Sequence, residues 1–283
     1  MTITTSQSSI TMTEETFKQL RDFIYEKTGI YVPDNKKYFL ENRLSRILKE
    51  KNFRGFDDYL YFLRYSANRS DFSKLFDSIT TNETFFFREP PQFEVLANYL
   101  LPQIIKENTQ MGRKDIKLWS AASSTGEEAY TIAMLLLEKP ELVSIRKEIY
   151  ASDISESVLM SAKRAMYGSY SVRNVPPQYM AKYFKDSGGI YSLSETVKSM
   201  VKFMSINLIE EKEVKQLKGI DVVFCRNVLI YFDDRAKKKA VSLIYDVLRP
   251  KGYLFVGTSE SLHNITRAFR PMVINKVVVY QKV

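Results

Sequence analysis

The chain has 283 residues, a formal net charge of +9 and a 45% apolar content, which suits a soluble globular core of one large domain with an appendage, or of two domains. Its single cysteine, Cys225, excludes an internal disulfide and a thiolate metal cluster. Its single histidine, His263, leaves His-based metal sites and Ser-His-Asp or Cys-His catalysis almost nothing to draw on.

The first residues, MTITTSQSSITMTEE, are polar and lack the basic start and apolar centre of an export signal. Residues 1–13 are expected to be a disordered leader. No run approaches the roughly 18 apolar residues of a membrane span, and with the lone thiol, which suits a reducing compartment, the protein is expected in the cytoplasm. From 14 to 80 the pattern is helical. Phe17, Leu20, Ile24 and Tyr25 mark one amphipathic helix stopping at Gly29, and Tyr38, Leu40, Leu44, Ile47 and Leu48 mark a second. Residues 59–65 and 72–79 suggest two more. The second helix and its flanks carry Lys36, Lys37, Arg43, Arg46, Lys49, Lys51 and Arg54 against Glu41 and Glu50, which reads either as a solvated face or as a dock for an acidic partner.

The stretch TNETFFFREPPQ, residues 81–92, links this helical domain to the rest. Three successive phenylalanines cannot share one face of a strand or helix, so they are expected in a groove between packed bodies, with Arg88 directly after them. Pro90 and Pro91 suit the first turn of a helix ending near Lys106. From Asp115 onward strands alternate with helices: KLWSA, EIYASD, IDVVFC and GYLFVG, closed by an edge pair over 271–280. Before IDVVFC, the segment SGGIYSLSETVKSMVKFMSI, at about 186–206, reads as a small antiparallel insert whose last strand delivers Asn207 and Leu208 toward the ligand edge.

The most informative stretch is DIKLWSAASSTGEEAYTIAMLL, a strand running through small residues into a helix, where a ligand approaches the backbone closely. Asp153 ends the next strand 27 residues past Gly126, about where nucleotide-binding α/β folds place the carboxylate that holds a ribose. FCRNVLIYF puts Arg226, Asn227 and Tyr231 at or beyond the carboxyl end of a third strand. The turn lacks GxGxxG, and Glu127 and Glu128 stand where a phosphate requires bare amides. A phosphate-free adenosine with a cationic sulfonium, S-adenosylmethionine, fits these residues better. Cys225, at a strand end, reads as a small buried side chain and His263 as a surface residue.

With TNETFFFRE, WSAASSTGEE, ASDIS, Asn207-Leu208 and CRNVLIYF in this order and spacing, the chain from about Glu14 to its end resembles the CheR family, the chemotaxis receptor methyltransferases. The resemblance implies an α/β fold: a doubly wound, Rossmann-like S-adenosylmethionine-dependent domain over 93–283 with the small antiparallel insert. An all-α receptor-docking domain over 14–80 and an active-site linker over 81–92 precede it. It also implies methyl transfer to glutamate side chains on the cytoplasmic helices of chemoreceptors, with S-adenosylhomocysteine as product and no metal. By the same resemblance Asn82, Thr84, Phe86 and Arg88 lie along the methionine end of the cofactor and the catalytic mouth. Glu127 faces its amino-acid portion, Asp153 holds the ribose, Asn207 and Leu208 border the adenine, and Asn227 and Tyr231 complete the methyl-transfer end. Arg43, Arg46 and Lys49 are the expected receptor contacts; the protein is expected to be a monomer that meets the membrane only through receptors. Members that hold a receptor tether use the insert, and the short SGGIYS loop leaves that role open here.

A glutamate ionises near pH 4.3, so the acceptor is already a nucleophile and no general base is required. Arg88 and Tyr231 are the expected catalytic residues, Arg88 holding the unreacting oxygen and Tyr231 positioning the attacking one or lying beside the methyl group. Two other classes stay open at this point: a non-catalytic cofactor- or receptor-binding scaffold, and a nucleic-acid methyltransferase. The second is suggested by the pI and by NVPPQY, residues 174–179, although that segment follows a helix, where prolines need no chemistry. No nucleic-acid partner is expected.

Overall fold

The computed structural model describes residues 11–283, and the chain divides between Thr81 and Asn82 into two compact units. In the first unit, Thr13 caps α1 (Glu14–Thr28) by accepting the Thr16 amide on its hydroxyl, and Gly29, left-handed at φ 74°, ends it. Met12 is buried and its amide donates to Glu41. The end of the expected leader, Met12 and Thr13, is therefore ordered; residues 1–10 lie outside the described residues. A 3-10 turn leads into α2 (Lys37–Glu50), followed by α3 (Phe56–Tyr65) and α4 (Arg69–Ile79), which starts on a capping box between Asn68 and Asp71. The spacing of Phe17, Leu20 and Ile24 and of Leu40, Leu44, Ile47 and Leu48 puts one apolar stripe of each helix into a common core.

The second unit opens with α5 (Pro90–Val95), a π-turn (Leu96–Leu100) and α6 (Leu101–Gln110), one longer helical run than the proline signal and Lys106 suggest. The sequence then folds as β1 (Asp115–Ala121), α7 (Glu127–Leu137), β2 (Arg146–Asp153), α8 (Glu156–Arg164), β3 (Met166–Gly168), α9 (Ser169–Val172), α10 (Pro177–Tyr183), β4 (Phe184–Asp186) and β5 (Ile190–Leu193). It continues through α11 (Glu195–Lys198), β6 (Val201–Ser205), α12 (Glu211–Val214), β7 (Ile220–Cys225), α13 (Asp234–Val247), β8 (Leu248–Val256), β9 (Phe269–Ile274) and β10 (Val277–Lys282). Seven strands form one sheet in the order β6-β2-β1-β7-β8-β10-β9. The first five are parallel; β10 runs antiparallel to β8, and β9 to β10. Asn275 and Lys276, both at positive φ, make the two-residue hairpin between β9 and β10.

One expectation is corrected. The strand at 201–205 does not close the antiparallel insert; it pairs in parallel with β2, Ile149 opposite Val201 through Asp153 opposite Ser205, as the edge of the main sheet. The small antiparallel sheet is instead β3-β5-β4, so the insert begins at Met166 and its last strand ends at Leu193. Pro177 opens α10, which accounts for NVPPQY as a helix start. The order β2-β1-β7 places the topological switch beside β1, with the ligand crevice beyond the carboxyl ends of these strands. No helix among the described residues is long and apolar enough to cross a membrane.

Candidate active site

The β1–α7 turn is built from residues whose backbone conformation bulkier side chains resist: Ala122, Ser124 and Gly126 all have positive φ, at 56°, 50° and 92°. The Ser123 amide donates to the Ser152 carbonyl at 2.8 Å, docking the turn on the end of β2. Asp153 closes the same corner. It is 5% exposed, and its two oxygens accept the amides of Ser124 at 2.9 Å and Ser155 at 3.0 Å. These bonds fix the carboxylate at the strand end.

The two acids that begin α7 have different fates. Glu128 accepts from Ser120 at 2.7 Å and from Arg226 Nη1 at 2.9 Å, so its charge is neutralised inside the protein. Arg226 also donates from Nη2 to the Arg88 carbonyl at 2.6 Å and pairs with Glu89 at 3.2 Å, its guanidinium 5.3 Å from the centre of the Phe93 ring. Glu127 is 1% exposed, and among the described residues no cation pairs with it. Its oxygens accept from Thr125 at 2.7 Å and Ser171 at 3.0 Å. Burial raises its pKa, opposed by these hydroxyl bonds.

The segment 82–88 is laced onto this corner. Ser124 Oγ donates to the Asn82 carbonyl at 3.2 Å, the Phe86 amide to the Ser171 carbonyl at 2.9 Å, and the Phe87 amide to Thr131 Oγ1 at 3.2 Å. Phe86 is fully buried, edge-on to Tyr167 and Phe184. Its ring is enclosed by protein and acts as an apolar anchor for the loop. Thr84 is half-buried. Arg88, also half-buried, donates to the Glu83 carbonyl at 3.0 Å and has no ion pair among the described residues.

Beyond β6, Asn207 accepts the Ile209 amide on its side chain at 3.2 Å and donates its own amide to Glu213 at 2.6 Å, while Leu208 is buried beside it. Beyond β7, Asn227 is left-handed at φ 57°, and Tyr231 ends a 3-10 turn (Leu229–Tyr231). Cys225 is fully buried and burial pushes its thiol well above the ordinary range, so it stays a protonated packing group; His263 is exposed. In the first unit the expected docking residues separate. Arg46, paired with Glu50 at 2.6 Å, and Lys49 are exposed, whereas Arg43 is half-buried and donates to the Thr80 carbonyl and Thr81 hydroxyl, both at 3.2 Å, just after α4. Arg43 thus also ties α2 to the residues just after α4.

The rim therefore gathers Asn82, Glu127 and Asp153 around one turn and ties Arg88 to the end of β7 through Arg226. Sequence reading singled out neither the pairing of Glu128, Arg226 and Glu89 nor Ser171. A buried Glu127 that no cation pairs with among the described residues suits a ligand that brings its own positive charge, and Asp153 beside close-approach backbone suits ribose hydroxyls; S-adenosylmethionine, with an ammonium and a sulfonium, meets both conditions.

The comparisons agree. Residues 15–80 match the CheR methyltransferase all-alpha domain and residues 82–278 the CheR methyltransferase SAM binding domain. Chemotaxis protein methyltransferase 2 of Vibrio cholerae is 36% identical over 277 residues, covering 97% of this chain and 95% of that protein. A chemotaxis protein methyltransferase of Borreliella burgdorferi is 36% identical over 257 residues, 90% of each chain, and chemotaxis protein methyltransferase 1 of Pseudomonas aeruginosa is 32% identical, covering 94% and 97%. On the fold, the rim and these matches together, the chain belongs to the CheR methyltransferase family, whose larger domain binds S-adenosylmethionine.

Proposed function

We propose that this protein methylates glutamate side-chain carboxylates on the cytoplasmic helices of chemoreceptors, forming glutamyl methyl esters for chemotactic adaptation. The observation that carries the reading is the charge arrangement at the rim. It holds a buried acid that no cation pairs with among the described residues, Glu127, together with a half-buried arginine, Arg88, and the chain's one histidine lies exposed in the stretch after β8. A site without a general base suits an acceptor that is already an anion. The relatives' names, chemotaxis protein methyltransferases, support the same pathway.

The bound cofactor supplies an electrophilic methyl group on a sulfonium. Glu127 receives its ammonium, Asp153 its ribose, and Asn207 and Leu208 border its adenine. Arg88 exchanges its bond to the neutral Glu83 carbonyl for one to the acceptor's unreacting oxygen, while Asn227 and Tyr231 line the path of attack. Excluding water from two opposite charges that neutralise as the methyl moves lowers the barrier further. Arg46 and Lys49 are the docking charges for an acidic helical bundle in the cytoplasm; reversing both lowers receptor methylation without altering cofactor affinity.

The test is transfer of labelled methyl from S-adenosylmethionine to a receptor-rich membrane fraction, with base-labile product as the expected result. Arg88→Ala is expected to lower turnover by about a hundredfold or more while cofactor affinity, by calorimetry, moves less than about threefold. An affinity loss equal to the activity loss reassigns Arg88 to cofactor binding, and label in nucleic acid or none in receptors refutes the substrate.

A further inference from the structure

Tyr231 has no hydrogen-bond partner for its hydroxyl among the described residues, so the backbone that carries it sets its direction. That backbone is unusual. Asn227 is left-handed, the 3-10 turn begins two residues later, and amides in such a loop lack the partners a strand or helix provides. One carboxylate, 33 positions on, supplies them. Glu260 Oε2 accepts the amides of Asn227 at 2.8 Å and Gly257 at 2.7 Å, and Oε1 accepts the amide of Ile230 at 3.2 Å. The Glu260 amide in turn donates to the Gly257 carbonyl at 2.9 Å, folding 257–260 into a tight turn just past β8. The fit at Gly257 is close: a Cβ there would stand 2.7 Å from Asn227 Nδ2 and 2.8 Å from Glu260 Oε2. The loop after β7 and the turn after β8 are thus interlocked through one side chain and one glycine.

We propose that Glu260 is a positioning residue for methyl transfer, holding the 227–231 loop so that Tyr231 meets the reacting groups. The inference rests on the role given to Tyr231 above. Carboxylate chemistry matters here, because both oxygens are used and every partner is a donor. A glutamine keeps the two amides on its single oxygen but turns an NH₂ toward the Ile230 amide, donor against donor. An alanine removes all three bonds.

The experiment measures methyl transfer to receptor membranes and calorimetric binding of S-adenosylhomocysteine for full-length Glu260→Ala, Glu260→Gln, Tyr231→Phe and the two double variants. Glu260→Ala is expected to lower kcat by about 10- to 100-fold with receptor KM and cofactor Kd within about threefold, Glu260→Gln to fall between it and wild type, and either change to cost little more once Tyr231 is Phe. If the alanine variant does not fold, as judged by circular dichroism, the glutamine pair carries the same test. Wild-type kcat in Glu260→Gln and Glu260→Ala, losses that multiply in the double variants, or a cofactor-affinity loss equal to the kcat loss each overturn the proposal. A fully active Tyr231→Phe instead removes the role of Tyr231, and the proposal with it; an impaired Tyr231→Phe with multiplicative losses refutes Glu260 alone.

Discussion

At the amino-terminal end of the parallel sheet Asp221 is fully buried and saturated. It accepts from Arg249, from both terminal nitrogens of Arg113 at 3.3 Å, from Asn108 at 3.2 Å and from the Lys117 amide at 2.8 Å. At the carboxyl end Glu127 is as deeply buried, yet it is met by two hydroxyls and by no cation among the described residues. A buried carboxylate is tolerable when arginines and amides surround it and costly when they do not. The contrast teaches where the fold completes its own electrostatics and where it leaves a charge for a ligand to complete. Even within the carboxyl rim the rule discriminates, since Glu128 is neutralised by Arg226 one residue away from Glu127.

The largest effect expected from this contrast is at Asp221. Asp221→Ala removes the anion that Arg249 and Arg113 share and strands the Asn108 and Lys117 donors; because Glu107 still pairs with Arg249 at 3.0 Å and Asp115 with Arg113 at 3.1 Å, the expected cost is about 2–4 kcal/mol. Denaturant unfolding of the variant should show that loss in full, and saturating S-adenosylhomocysteine should stabilise the variant no more than it stabilises wild type, because the proposed ligand rim is at the other end. A variant as stable as wild type would dissolve the distinction between the two ends.

Glu127→Gln should do the reverse. Without ligand the substitution removes a desolvated charge; the amide oxygen still accepts from one of the Thr125 and Ser171 hydroxyls and its NH₂ donates to the other, which can turn to accept, so unfolding stability at neutral pH should hold or rise. Cofactor affinity should fall roughly 10- to 100-fold, the worth of a charge-assisted bond of about 1.5–3 kcal/mol. The sign of the pH dependence sharpens this. Because burial raises the folded-state pKa of Glu127 above its ordinary 4.5, the folded protein holds its proton longer than the unfolded chain does. Its contribution to stability is therefore best below the unfolded pKa and declines as pH rises through the folded one. A cationic ligand lowers that pKa again, so binding should release a proton and tighten as pH rises through the raised value. Calorimetry in buffers of different ionisation heat reads the proton, and Glu127→Gln should abolish its release.

How far this rim was legible in the sequence follows from the same chemistry. β1, β2, β7 and β8 announce themselves as apolar runs bounded by small or polar residues, and Asp153 is visible because a strand end fixes its place. The pairing of β6 is not legible because an edge strand has one neighbour and a mixed inner face; VKFMS gives no sign of whether its partner runs parallel or antiparallel. Glu127 and Glu128 are indistinguishable as letters, and their separation depends on where Arg226 arrives 98 residues later. The packing of Phe86 and Arg43 is hidden for a related reason: a fully buried ring beside two other phenylalanines, and an arginine turned back onto a helix end, are tertiary outcomes with no local pattern. Met12 blends into the leader because its neighbours are polar, although its burial and the Glu41 bond hold it.

The smallest effect expected belongs to the turn that carries Glu127 into place. Gly126 sits at φ 92°, and a Cβ there would stand 3.0 Å from Ala162 Cβ and 3.2 Å from the rings of Phe203 and Tyr130. Gly126→Ala therefore meets two costs, a left-handed backbone that side chains disfavour and neighbours that must each yield a few tenths of an ångström. Together they should destabilise the protein by about 1–2 kcal/mol, less than Asp221→Ala. Because Gly126 is the cap directly before Glu127, the strain also tilts the first turn of α7, and cofactor affinity should weaken by a few-fold while the amino-terminal network is untouched. Thermal unfolding and calorimetry on one variant thus separate the two ends: a stability loss with unchanged affinity would mean that Glu127 is placed by its hydroxyl partners, and not by the turn.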